Sequence, residues 1–174
     1  MRLALLTLCL ASPAFADQVL VDRVVAIVDS TPLTRSAVEE RAKNIELLSR
    51  GAMSRDLARR DALNELIDEL LIARDCERMQ LSVDNAEIDA ALQGVAEQNQ
   101  MSMAQLTDEV RKQGLSIPAY RVMLRKKILE MRWVTSKMDR TGIANARDVS
   151  EYMLKERNRL VAELRQAAAI EVRP

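Results

Sequence analysis

Histidine is absent from all 174 residues. That removes the commonest general base, the Ser-His and Cys-His nucleophile pairs and the commonest metal ligand. Cysteine is nearly absent as well. Cys9 lies in an N-terminal segment expected to be cleaved, which leaves Cys76 alone and excludes an intrachain disulfide or a cysteine metal site. The four glycines are scattered, so no glycine-rich phosphate loop forms. Carboxylate neighbours such as Glu39-Glu40 and Asp108-Glu109 point apart on a helix and read as solvated faces. The expectation is a protein with no catalytic residues, no cofactor and no metal.

Rings are equally scarce. Once Phe15 is removed only Tyr120, Trp133 and Tyr152 remain, whereas methionine occurs nine times. A core of Leu, Ile, Val, Ala and Met in a chain with four Gly and four Pro points to a mainly α body. Net charge is zero, from 26 basic and 26 acidic residues, which argues against nucleic-acid binding through bulk electrostatics. The charge is locally uneven, however. Six acidic and no basic residues fall between Gln80 and Val110, while Arg121 to Arg132 holds five basic residues against Glu130. Two neighbouring helices docking through opposite charge account for this pattern, with a binding patch as the alternative.

What is present begins with a secretory layout: Arg2, an apolar run from Leu3 to Ala11, Ser12-Pro13, and the small-residue site Ala14-Phe15-Ala16. Cleavage after Ala16 leaves about 158 residues, enough for one domain with an extension. The run is shorter than the roughly 20 apolar residues a membrane span needs, so export without stable membrane insertion is expected.

Along the chain, Val19 to Val28 is apolar and β-branched and reads as one strand, followed by a turn at Asp29-Ser30-Thr31-Pro32. Thr34 then caps a helix to about Ser49, ended by Arg50-Gly51. A longer helix is expected from Ser54 to Met79, with Leu63, Leu66, Ile67, Leu70 and Ala73 inward. Its apolar arc widens at Leu70-Leu71-Ile72, so more than one neighbour should cover it. Asp84 with Glu87, and Ser102 with Gln105, have the capping-box spacing and open a third and a fourth helix, the latter stopped by Gly114.

Pro118 stands near the start of a fifth helix that carries two apolar stripes. Ile117, Tyr120, Leu124, Ile128, Met131 and Met138 make one; Val122, Leu129 and Trp133 fall nearly opposite and call for a second partner. After a break at Thr141 to Asn145, Asp148 opens a sixth helix through about Gln166. Ala168 to Arg173 then alternates as a short strand. A lone strand is unstable, so it should pair with the first one, giving a bundle of about six helices with a small antiparallel sheet joining the two ends.

That order of elements, with the residues that carry it, resembles the SurA family of chaperones. The carrying segments are Val21-Asp22-Arg23-Val24-Val25-Ala26-Ile27-Val28, Asn64-Glu65-Leu66-Ile67-Asp68-Glu69-Leu70-Leu71, Ala96-Glu97-Gln98-Asn99-Gln100-Met101-Ser102 and the ending Leu164 to Arg173. The resemblance implies a helical chaperone domain over 17–140, with 141–174 packing back on it as a C-terminal helix and strand. It implies a periplasmic protein that binds unfolded chains without ATP, with outer-membrane β-barrel proteins as clients. Relatives carry parvulin-type prolyl isomerase domains between these two parts, built around histidines and a glycine-rich segment. This chain has neither feature, so no isomerase activity is expected.

A chaperone needs an open apolar surface, and methionine suits it because its flexible side chain repacks around different partners. The surface expected to meet clients comprises Met101, Met103, Leu106, Val110, Ile117, Tyr120, Met123 and Trp133 on the third to fifth helices. Homodimerisation is one way to enlarge the cradle. The competing reading is a helical adapter for one folded envelope partner, since an apolar patch looks the same in either role.

Overall fold

The computed structural model describes residues 22–49, 52–138 and 148–173. The expected signal segment, Val19 to Val21, the Arg50-Gly51 stop and the Thr141 to Asn145 break lie outside them. The elements in order are β1 (Val24–Val28), β2 (Thr31–Thr34), α1 (Arg35–Leu48), α2 (Arg55–Arg78), α3 (Asn85–Gln98), α4 (Met103–Lys112), α5 (Ile117–Lys137), α6 (Val149–Ala167) and β3 (Ile170–Val172). The fold is mainly α, with six helices and one three-stranded antiparallel sheet in the order β2-β1-β3.

The sheet brings the two ends of the described chain together. Ala26, Ile27 and Val28 pair with Val172, Glu171 and Ile170, as the need for a partner strand demanded. The first strand differs from expectation, because Thr31-Pro32 is not turn but the start of β2. Asp29 adopts φ 53°, so the chain reverses over Asp29-Ser30 alone and Val28 pairs with Thr31. Proline is tolerated in β2 for a geometric reason. Val25 and Asp29 bond outward to Arg173 and Ala169, so Ile27 between them also turns to β3, and Pro32 opposite it needs no N–H. The Asp29 carboxylate also accepts from the Ala169 N–H at 2.9 Å and from Arg74, tying the hairpin turn, the C-terminal segment and α2 together.

The helix starts follow the capping chemistry. Thr34, Ser54, Ser116 and Asp148 each accept from a first-turn N–H, and Asp84 and Ser102 form full capping boxes with Glu87 and Gln105. Gly114 ends α4 at φ +79°, with Leu115 N–H bonded back to the Val110 carbonyl. The same closure ends α2 and α3, but there the left-handed residues are Gln80 (φ 56°) and Gln100 (φ 55°).

The inner face of α2 is broader than the single expected stripe. Ile67 is buried, but Leu63, Leu66 and Leu70 are half-buried and Ala73 is exposed. The other fully covered positions are Ala58, Ala62, Leu71, Ile72, Asp75 and Cys76. The cause is that α2 packs on several partners: its small residues Ala58 and Ala62 meet Val38 and Ala42 of α1, while Ile72 and Cys76 meet α5 and α6.

α5 changes partners along its length. Its first half, through Ile117, Tyr120, Leu124 and Ile128, packs on an aliphatic cluster of Val83, Ile88, Leu92, Ala96, Leu106 and Val110 supplied largely by α3 and α4. Its second half puts Trp133 and Val134, with Met138 at its C-cap, into a different cluster with Ile72, Cys76, Leu160 and Val161. Met131, expected on the first stripe, is 54% exposed because it falls where one cluster gives way to the other. The uneven charge resolves as helix docking: Arg121 pairs with Asp89, Arg132 with Glu87, and Arg125 donates to Asn85 at 2.7 Å.

Candidate functional site

Between α2 and α5 lies an open groove of about 310 Å³. Leu66, Leu70, Ile72 and Ala73 of α2 form one wall, Leu129 of α5 the other, and Leu33 of β2 closes one side. Leu129 packs against both clusters that α5 serves, so the groove marks the place where they adjoin. Val122, one stripe position before Leu129 and 56% exposed, continues the apolar face of α5 towards its N-terminus.

Three charged residues stand at the rim, Glu69, Lys126 and Glu130. The Glu69 carboxylate accepts from Arg41 at 2.7 Å on one oxygen and from Lys126 at 3.1 Å on the other. Burial opposes its ionisation, but these two cations outweigh that and hold its carboxyl below the usual range. Glu130 is paired with Arg157 of α6. The lining thus combines aliphatic walls with acids already paired to cations, a surface suited to apolar side chains.

The residues expected to meet clients separate into three groups by exposure. Leu106 and Val110 are 5% and 4% exposed within the α3–α4 cluster, and Trp133 is fully buried, which takes all three off the surface. Ile117 and Tyr120 lean half-buried on the same cluster as Leu106, and Met101 is half-buried in the turn before α4. Only Met103 and Met123, at 43% and 49%, stand open. None of the eight lines the groove. Its walls come from two signals in the chain that belong together: the widened apolar arc of α2 and the second stripe of α5.

Trp133 is buried for a polar reason as well as an apolar one. Its Nε1 donates to the Asp75 carboxylate at 2.7 Å, and Lys137 and Arg78 pair with the same group. Lys137 also lies over the Trp133 ring, 5.6 Å from its centroid. Burial of Asp75 disfavours its charge, yet the bonds from Lys137 and Trp133 prevail and hold its carboxyl below the usual aspartate value. Cys76 beside it is buried, which pushes its thiol up to about 11 and leaves it unreactive at neutral pH.

Among the described residues no cluster of His, Cys, Asp and Glu could hold a metal ion, and no helix is long and apolar enough to cross a membrane. Fold and groove together define a mainly α-helical module with an open aliphatic groove. Residues 21–133 match the SurA N-terminal domain, and the chain belongs to that family. It is 31% identical over 157 residues to a protein named Chaperone SurA from Legionella pneumophila (strain Lens), covering 87% of this chain and 37% of that one. A Chaperone SurA from Cupriavidus metallidurans is 35% identical over 117 residues, covering 65% and 24%, and one from Chromohalobacter salexigens 29% over 146 residues, covering 82% and 34%. The chain spans about a third or less of the length of these curated relatives.

Proposed function

We propose that this protein is a periplasmic chaperone that holds unfolded polypeptide chains without ATP and performs no catalysis. The observation that carries the reading is the open aliphatic groove between α2 and α5, in a domain whose relatives are named as chaperones. On this reading Leu33, Leu66, Leu70, Ala73 and Leu129 take apolar client side chains, while Met103 and Met123 extend the contact surface. Leu106, Val110 and Trp133 act as scaffold. Clients are outer-membrane β-barrel chains, delivered to a protein that begins at Asp17 after signal cleavage. Residues 17–140 form the client-binding body and 141–174 the segment that closes it.

The direct test is light scattering of a urea-unfolded outer-membrane porin diluted into buffer with and without the purified protein. Suppressed aggregation near stoichiometric ratio is expected, weakened by Leu70→Gln in the groove wall. Full scattering in the presence of demonstrably folded protein would move the reading to an adapter with a single folded partner. Prolyl cis/trans exchange of a test peptide should proceed at the uncatalysed rate, and intact-mass analysis of the exported protein should give a chain starting at Asp17.

A further inference from the structure

α2 and α5 part company at the groove. Their contacts advance together along both helices, Glu69 with Lys126 and then Asp75 with Trp133, so the two run parallel over this stretch. Beyond the Glu69–Lys126 end each turns to its own partners: the earlier part of α2 packs on α1 through Ala58 and Ala62, while the earlier part of α5 packs on α3 and α4. The helices therefore form a fork, with α1 and α2 in one arm, α3, α4 and the first half of α5 in the other, and the groove between them.

Two ion pairs join α2 to α5 among the described residues, and they differ in kind. Lys137 meets Asp75 at the root of the fork, where the carboxylate is 2% exposed and also takes the Trp133 Nε1 and Arg78. Arg132 braces the same end by donating to the Ser82 carbonyl in the turn that leads from α2 to α3. Lys126 meets Glu69 at 3.1 Å at the open end, where the lysine is 62% exposed. A buried pair with satisfied bonds costs far more to break than a solvated one. The root is fixed, and the mouth is releasable.

We infer that the Glu69–Lys126 pair is a latch across the mouth of the groove. Made, it holds the two arms together over the aliphatic walls; broken, it lets the α3–α4 arm swing about the Asp75–Trp133 root and bares Leu66, Leu70 and Leu129. Arg41 of α1 holds the other Glu69 oxygen at 2.7 Å, so the acidic half of the latch stays anchored in its own arm while Lys126 is the half that leaves. The latch sets the width of the groove and does not depend on what enters it.

The experiment is pulsed electron resonance between spin labels on the two arms, at Lys43→Cys of α1 and Ala104→Cys of α4, both exposed positions. Cys76 is buried and stays unlabelled in the folded protein. At low salt one short distance should dominate. Lys126→Gln should raise the population at longer distance about threefold, the scale of one exposed ion pair, and Lys126→Glu should raise it further by repelling Glu69. High salt should act on the unsubstituted latch in the same direction, because at 1 M the Debye length falls to about 3 Å, and should add little in Lys126→Gln. Lys126→Arg should keep the short distance. A second label pair within one arm, Ala104→Cys with Ala119→Cys, should not move in any of these variants. An inter-arm distance that neither Lys126→Gln nor salt changes overturns the latch. Equal lengthening of the pair within the arm overturns it too, since the α3–α4 cluster would then be loosening rather than swinging.

Discussion

The two halves of α5 live in different surroundings. Its first half packs on α3 and α4, the two helices that immediately precede it, in a cluster built of aliphatic side chains. Its second half meets α2 and α6 around Trp133, beside a buried carboxylate of α2, Asp75, held by three donors. The first arrangement is local in sequence; the second depends on chain segments that meet only when the ends of the domain come together. Local packing can be assembled from helix signals read one after another, whereas the Trp133 cluster needs α6 in place and the sheet closed. The groove sits between them, so its width depends on both.

The largest expected effect breaks the second arrangement. Asp75→Asn removes the charge that Lys137 and Arg78 neutralise, and should destabilise the protein by about 3 kcal/mol, the lower end for a broken buried pair because Lys137 is partly exposed. Chemical denaturation followed by Trp133, the sole tryptophan, reads the change where it occurs. The pH dependence has a definite sign. The Asp75 carboxyl is lowered below its ordinary value of 3.8, so its contribution is present above about pH 4 and lost as pH falls through the folded value. Asp75→Asn should accordingly flatten the acid limb of the stability curve. An unchanged limb would mean that the carboxylate is not a net contributor.

What the sequence disclosed follows the same division. Six helices, their caps and the sheet joining the two ends were legible, because capping boxes and apolar periodicity act over a few residues and a lone strand demands a partner. The hairpin at Asp29-Ser30 was not, since an aspartate in the left-handed region does the work usually signalled by glycine. Nor was the groove. Each of its walls was visible as surplus apolar face on α2 and α5, but their opposition across a gap is set by packing at both ends of α5, which no single window contains. The stripe of Trp133 calls for a second partner without naming it; Asp75, 58 residues away, supplies one for Trp133.

A smaller effect probes the first arrangement. Asp84→Ala removes a capping box at the start of α3 and should cost about 1 kcal/mol. Because α3 packs on α4 and the first half of α5, the loss should appear as faster amide exchange in α3 and α4 at low denaturant. Protection around Asp75 should fall only by the global change. Equal loss everywhere would instead make the two clusters one cooperative unit and erase the distinction between the halves of α5.

The smallest effect runs in the opposite direction. Gln100 closes α3 at φ 55°, and its N–H reaches the Glu97 carbonyl while Met101 bonds to Ala96. A side chain in that region crowds the neighbouring carbonyl by about 1–2 kcal/mol, which glycine avoids. Glycine also gains more freedom in the unfolded chain, which offsets part of the benefit. Gln100→Gly should therefore stabilise by roughly 0.5 kcal/mol net, concentrated in α3 and α4, and slow the amide exchange that Asp84→Ala accelerates. Gln80→Gly is the matching change at the end of α2, where the Leu81 N–H bonds to the Cys76 carbonyl beside Asp75. If the two halves of α5 are separate in stability, each glycine should protect its own cluster. Protection of both by either one would show that α5 transmits the gain along its length.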